Sequence, residues 1–217
     1  MVKLTSPDWQ EYELLDSGAG RKLERFGPFT LIRPEAQATW QPAWPDAWQA
    51  AHAIFQPASP AAGRWDYLRP MERSWIMAYK GLRFRVQASE SRQVGVFPEN
   101  ATHWDWIDQQ IAAVDRPARV LNLFGYTGLA TLAAAQAGAH VTHVDASRKA
   151  VAWARANQAL SGLADRPVRW IVDDALKYMQ REARRGQRYD GIVLDPPAFG
   201  RGPNGEVWRF ARLFPAL

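Results

Sequence analysis

The rhythm of hydrophobic and polar positions changes near residue 100. Before it, short apolar-rich runs at 12–16, 22–26, 29–33, 65–68 and 75–79 are separated by Gly- or Pro-containing punctuation such as Gly18-Ala19-Gly20 and Gly27-Pro28. Leu82-Arg83-Phe84-Arg85-Val86 alternates with a period of two, which places Leu82, Phe84 and Val86 on one face of a strand. This texture predicts a small antiparallel β unit over residues 1–98. Within it, 45–55 reads as a helix, because Pro45 suits a first turn and Trp48, Ala51 and Phe55 recur at helical spacing.

Beyond residue 99 the pattern alternates between helix and strand. A helix through Trp104, Ile107 and Ile111 is followed by strand 119–123, helix 129–137, strand 140–144, helix 148–160, strand 168–172, helix 175–185 and strand 191–194. Such alternation specifies an α/β domain over residues 99–217, a Rossmann-like parallel sheet covered by helices and joined by right-handed crossovers.

The ends of these strands carry the candidate chemistry, since open α/β sheets bind ligands at the carboxyl ends of their strands. Strand 119–123 runs through Asn122 into Phe124-Gly125-Tyr126-Thr127-Gly128, between an apolar strand and an alanine-rich helix whose first N–H groups can receive a carboxylate. Asp145, followed by Ala146, ends the next strand, where a carboxylate can accept both hydroxyl protons of a ribose. Gly-x-x-Gly lacks the third glycine that a dinucleotide pyrophosphate requires. A cofactor with a ribose and a carboxylate but no pyrophosphate fits better, and S-adenosyl-L-methionine is such a molecule.

Asp173 and Asp174 follow the third strand, where either can meet an adenine amino group, with Asp174 favoured; an Asp before Ala175-Leu176 also suits helix capping. Asp195-Pro196-Pro197 follows the fourth. Two prolines end strand pairing and stiffen the turn, so Asp195 and the Pro196 carbonyl are expected where substrate meets cofactor, with Phe199 placed to stack on a flat base. Asp195 is thereby assigned to both the catalytic and the cofactor-binding sets.

At these residues the chain resembles the class I S-adenosylmethionine-dependent methyltransferases, and more narrowly the bacterial large-subunit ribosomal RNA methyltransferases, a group that includes cytosine carbon-5 enzymes. The stretches that carry the resemblance are NLFGYTG, VDASRKAVAWARANQALSGL, DDALKYM and DPPAF. It implies that Gly125 and Gly128 cradle the methionine part, Asp145 holds the ribose, Asp174 meets adenine, and Asp195 with Pro196 faces the target, a base of ribosomal RNA. The likeness is good over residues 65–203 and loose before them. No PUA-type RNA-binding leader is evident, and Ala198 stands where the group has lysine. The family's sheet has seven strands, so a chain ending about one helix after its fourth is expected to be part of a longer protein.

Composition narrows the chemistry further. With no cysteine among 217 residues, thiolate metal sites are excluded and no metal is expected. Cytosine carbon-5 transfer needs a thiol to add to the ring. Either a further segment supplies it, or the acceptor is a nitrogen or oxygen. The net charge of +5 permits a nucleic-acid partner without demanding one. Part of it lies at Arg181, Arg184, Arg185 and Arg188, read either as a solvated helix end, where cations complement the dipole, or as a phosphate contact. No run approaches the ~20 apolar residues of a membrane helix, so no membrane partner and a cytoplasmic location are expected. Trp40, Trp44 and Trp48 are read as packing residues rather than a base-stacking ladder, and His52 and His103 as surface or satisfied positions. A small-molecule or protein acceptor, or a non-catalytic cofactor- or RNA-binding module, remain the other readings.

Overall fold

The computed structural model describes residues 5, 8–58, 63–89 and 91–217, the side chain of residue 216 excepted. The chain divides into two compact units, Pro7–Pro98 and Glu99–Leu217.

In the first unit β1 (Tyr12–Gly18), β2 (Arg21–Phe26), β3 (Phe29–Pro34), β4 (Ala53–Pro57) and β5 (Gly63–Tyr67) form one sheet in chain order. Neighbouring strands are antiparallel except β3 and β4, where Leu31 and Ile32 pair in parallel with Ala53 and Ile54. A separate hairpin joins β6 (Ser74–Tyr79) to β7 (Leu82–Gln87), and it buries Leu82, Phe84 and Val86 on one face as expected, together with Trp75, Met77 and Tyr79. Trp9 packs edge-on to Tyr79 and donates its indole N–H to the Ala78 carbonyl at 2.7 Å. A buried ion pair interrupts this apolar interior. Glu24 is fully buried and accepts from Arg33 Nε at 2.7 Å, from a second Arg33 nitrogen at 2.8 Å and from the Tyr12 hydroxyl at 3.0 Å.

The helix expected at 45–55 is corrected to a single turn, α1 (Pro45–Trp48), followed by strand β4. Ala53 and Phe55 are buried and Ile54 less so, a period of two. β4 lies between β3 and β5, and hydrogen-bonding on both sides suits Ile54 and Phe55, types that fit a pleated surface. The packing role read for the three tryptophans is also corrected for two of them. Trp48 packs against the cluster of Leu23, Ile32 and Ala51, but Trp40 and Trp44 are 56% and 64% exposed. The Asp16 carboxylate fixes their loop, accepting from the Ala43 and Trp44 backbone N–H groups and from the Trp48 indole.

In the second unit α2 (Ala101–Ala112) precedes β8 (Arg119–Leu123), α3 (Leu129–Gln136), β9 (His140–Asp145), α4 (Arg148–Leu160), β10 (Val168–Val172), α5 (Ala175–Arg184) and β11 (Gly191–Leu194). The strands form a parallel sheet in the order β10-β9-β8-β11. Alternate residues serve opposite faces. Val120 and Val141 pack with Ile107, Ile111, Ala134 and Ala135, whereas Leu121, Leu123 and Val144 pack with Ala175 and Tyr178. The chain continues through a hairpin, β12 (Phe199–Arg201) and β13 (Val207–Arg209), and a short helix α6 (Phe210–Leu213). This hairpin lies outside the elements the hydrophobic pattern predicts.

Candidate functional site

Because the four strands are parallel and adjacent, the four segments singled out in the sequence all leave the sheet at its carboxyl edge. Residues 124–128 turn sharply between β8 and α3, with Phe124 (φ 55°), Tyr126 (φ 48°) and Gly128 (φ 87°) in the left-handed region. Such backbone is uncommon for bulky residues and persists only where the surroundings over-determine it. Here the Gly125 N–H donates to the Val144 carbonyl at 3.1 Å and the Tyr126 N–H to Asp145 Oδ2 at 2.9 Å.

Gly125 also has no room for a side chain on its inner side. A Cβ at this position would lie 2.5 Å from Nδ1 of His143 and closer still to Cε1. His143 is fully buried beneath the loop, packed against Trp170, and its Nδ1 lies 2.9 Å from Thr131 Oγ1. Thr131 accepts in turn from Asn122 Nδ2 at 2.8 Å. Asn122, read as a cofactor residue, therefore spends its side chain supporting the turn from below, and Thr127 is likewise buried, its carbonyl accepting from Asn157. Burial with no charged partner pushes the His143 imidazole down to about 3, so it is neutral at physiological pH.

Asp145 ends β9 and meets the turn. Its Oδ1 accepts from the Ser147 N–H at 2.8 Å, and Ser147 then caps α4 through the Ala150 N–H. Burial raises the Asp145 carboxyl above its ordinary value, and the N–H groups of Ser147 and Tyr126 offset part of that shift. Each oxygen receives one backbone donor and retains acceptor capacity for another. A half-buried carboxylate so placed fits a ligand that brings two hydroxyl donors. Ala146, between Asp145 and Ser147, lies in the turn itself.

After β10, the Asp173 N–H donates to the Asp145 carbonyl at 3.1 Å, and the Asp173 carboxylate pairs with Arg181. Asp174 caps α5, its Oδ1 accepting from the Lys177 N–H at 3.0 Å. Of the four clustered arginines, Arg181 thus reaches back to the rim and Arg185 pairs with Glu182. Asp195, past β11, is exposed and accepts from Asn100 Nδ2 at 3.2 Å. Asn100 Oδ1 lies 3.1 Å from His103 Nδ1, so His103, read from the sequence as isolated, stands one residue from the rim carboxylate. Phe199 is 54% exposed in β12. A cavity lined by Arg119, His140, Thr142, Arg169 and Tyr189 opens at the amino ends of the same strands and includes none of these rim residues.

The model of the S-adenosylmethionine-dependent methyltransferase family matches residues 22–215 of this chain. The chain belongs to that family. It is 49% identical to a SAM-dependent methyltransferase from Agrobacterium tumefaciens, whose crystal structure it matches with a TM-score of 0.93 over the whole of this chain and 69% of that one. It is also 34% identical over 138 residues to ribosomal RNA large subunit methyltransferase K/L of Magnetococcus marinus, and 38% identical over 120 residues to the protein of the same name from Methylococcus capsulatus. Those stretches cover 63% and 55% of this chain but only 18% and 16% of the relatives.

The packing beneath the 124–128 turn makes one expectation specific. Gly125→Ala should lower the free energy of urea unfolding by about 1–3 kcal/mol through overpacking against His143. Gly125 is not in the left-handed region, so packing rather than backbone strain is tested. Unchanged stability would show that the ring can yield.

Proposed function

We propose that this protein binds S-adenosylmethionine at the rim of the parallel sheet and transfers its methyl group to a nucleobase of ribosomal RNA. The observation that carries the cofactor half of this reading is the Asp145 carboxylate, half-buried, tied to the glycine turn and still able to accept two hydroxyl protons. When bound, the cofactor would supply an electrophilic methyl carbon on a sulfonium, with S-adenosylhomocysteine as the leaving group.

The residues of this chain contribute alignment. Gly125 and Gly128 shape the turn that brings the first N–H groups of α3 to the methionine carboxylate, Asp145 accepts from the ribose, and Asp173 and Asp174 stand on the adenine side. Asp195 and the Pro196 carbonyl face the acceptor, and Asp195 is the group that accepts a proton-bearing edge of the base. Phe199 offers a ring for stacking. Holding the acceptor in line with the methyl carbon is the main source of rate in such a site. The RNA half of the reading rests on the names of the relatives, and a cytoplasmic setting follows from that substrate. Among the described residues, no helix is long and apolar enough to cross a membrane.

Two substitutions separate binding from transfer. By calorimetry, Asp145→Ala should weaken S-adenosylmethionine by about 1–3 kcal/mol through the loss of hydrogen bonds to a charged acceptor, and full affinity in a folded variant would reject the ribose assignment. Asp195→Ala should impair tritium transfer to ribosomal RNA from cells lacking the gene more than it impairs cofactor binding. The reverse ranking would exchange the two roles. Filter binding to the RNA across a salt series tests the substrate class, because phosphate contacts release counterions and make affinity fall with salt. Binding indifferent to salt, or none, points to a small-molecule or protein acceptor.

A further inference from the structure

The Asp195-Pro196-Pro197 turn faces a difficulty of its own making. Neither proline has a backbone N–H, so the turn cannot be held through its own donors and needs them from elsewhere. Asn100 supplies one to Asp195. The other comes from the hairpin that follows, where Trp208 Nε1 donates to the Pro197 carbonyl at 2.7 Å.

Trp208 also reaches the cofactor loop. It is 3% exposed, whereas Val207 beside it is 46% exposed, and its ring lies 4.8 Å from that of Phe124. Phe124 is the left-handed residue that opens the glycine turn. From the same strand end, Glu206 accepts from Lys177 Nζ at 2.6 Å, in the first turn of the helix that Asp174 caps. The hairpin therefore touches three of the rim segments: the acceptor-facing turn, the methionine loop and the adenine-side helix. In chain order these contacts are separated by up to 84 residues, and Trp208 bridges the first two.

We infer that Trp208 is a positioning residue for methyl transfer, whose indole N–H fixes the Asp195-Pro196-Pro197 turn against the cofactor loop. It touches neither reacting atom; it sets the distance between the group that holds the acceptor and the loop that holds the donor. Misplacement of a reacting group by about 1 Å can cost 10²-fold in rate, so the loss of one locating hydrogen bond should appear in the transfer step rather than in binding. This inference rests on the methyltransferase reading above.

The test uses the full chain with two replacements at Trp208: phenylalanine, and β-(3-benzothienyl)alanine, which keeps the bicyclic shape and removes only the N–H. The isostere guards against a variant that simply fails to fold. Both should bind S-adenosylmethionine within about threefold of the parent and slow single-turnover transfer to ribosomal RNA by at least about tenfold at saturating cofactor and RNA. A parent-like rate, or a loss that lies wholly in cofactor affinity, overturns the inference. Asp195→Ala in the same assay separates the two readings: if it slows transfer while the Trp208 variants do not, the positioning role is wrong and the site assignment stands.

Should the parent protein transfer nothing to RNA, a second measurement still decides. Amide exchange at Phe210, whose N–H donates to the Ala198 carbonyl at 3.0 Å beside the turn, should be at least about tenfold faster in the benzothienyl variant, because opening then breaks one fewer bond there. Unchanged exchange removes the physical basis of the role, whatever the substrate proves to be.

Discussion

Arg33→Met is expected to destabilise the protein by about 3–5 kcal/mol, the cost of removing the buried partner of a buried charge, which then keeps only the Lys22 ammonium at 3.5 Å and the Tyr12 hydroxyl. Glu24 is 0% exposed and Arg33 4% exposed, and two guanidinium N–H groups meet the two carboxylate oxygens. The arginine also lies over the Phe26 ring at 5.1 Å, so it contributes packing as well as charge. Glu24→Leu should cost a similar amount for the converse reason. The double variant should lose less than either single change, because two apolar side chains of similar size need no partner where an ion stripped of its buried counterion does. Urea unfolding of the two single variants and the double variant supplies the check. If the double loss equals the sum of the singles, Glu24 and Arg33 are not acting as a pair.

Acidification should produce the second large effect, through His143. An unfolded imidazole titrates near 6.5, whereas burial holds this one down to about 3 in the folded protein. Between those values the unfolded chain binds a proton that the folded chain does not. The stability contributed by the neutral ring is therefore fully present above pH 6.5 and is lost as the pH falls toward 3. The slope approaches ~1.4 kcal/mol per pH unit, which amounts to about 3 kcal/mol between pH 7 and pH 4. Unfolding free energies measured across that range for the parent and for His143→Gln should diverge, with the steeper fall in the parent. By NMR, the His143 ring protons should not titrate between pH 8 and pH 5. Parallel pH profiles for the two proteins, or a ring that titrates near 6.5, would show that His143 exchanges its proton freely in the fold. The consequence extends to the site, because His143 lies directly beneath Gly125 and any charging of it disturbs the turn that Asp145 anchors.

The second unit follows its hydrophobic pattern closely. All four strands of the parallel sheet and the four helices that accompany them appear within a residue or so of where periodicity puts them, since each apolar run faces one layer of core and the parallel crossovers admit few arrangements. The first unit is less faithful at 45–55. Spacing of Trp48, Ala51 and Phe55 satisfies a helix and also a turn followed by a strand, and only the pairing partners on β3 and β5 discriminate between them. Burial of the tryptophans was equally ambiguous. A large aromatic is usually interior, yet Trp44 is held in an exposed loop by its backbone N–H on the Asp16 carboxylate 28 residues away, and Trp40 by its indole N–H on the Ser17 carbonyl.

At the rim, Asp145, Asp174 and Asp195 are legible because each stands at the end of a strand or one or two residues past it, and a strand end is a local signal. Asn100, His103 and Trp208 are not. Asn100 reads as a helix start, His103 as an isolated imidazole, and Trp208 as an aromatic in a run without regular period. The clue nearest to Trp208 in the sequence is Gly200-Arg201-Gly202-Pro203-Asn204-Gly205-Glu206, a turn-rich stretch that signals a hairpin without saying what its second strand covers.

By itself, then, the sequence determined the class of fold, the order of strands and helices beyond residue 99, and which carboxylates stand at strand tips, because these depend on periodicity and on neighbours a few positions away. Tertiary structure alone decided what those tips hold on to: Asp145 with the Tyr126 N–H, Asp195 with Asn100 across 95 positions, Trp208 with Pro197 and Phe124, and His143 against Gly125. Such contacts exist only once strand order has brought distant segments within hydrogen-bonding reach, and no local pattern of residues encodes a distance of 3 Å between them.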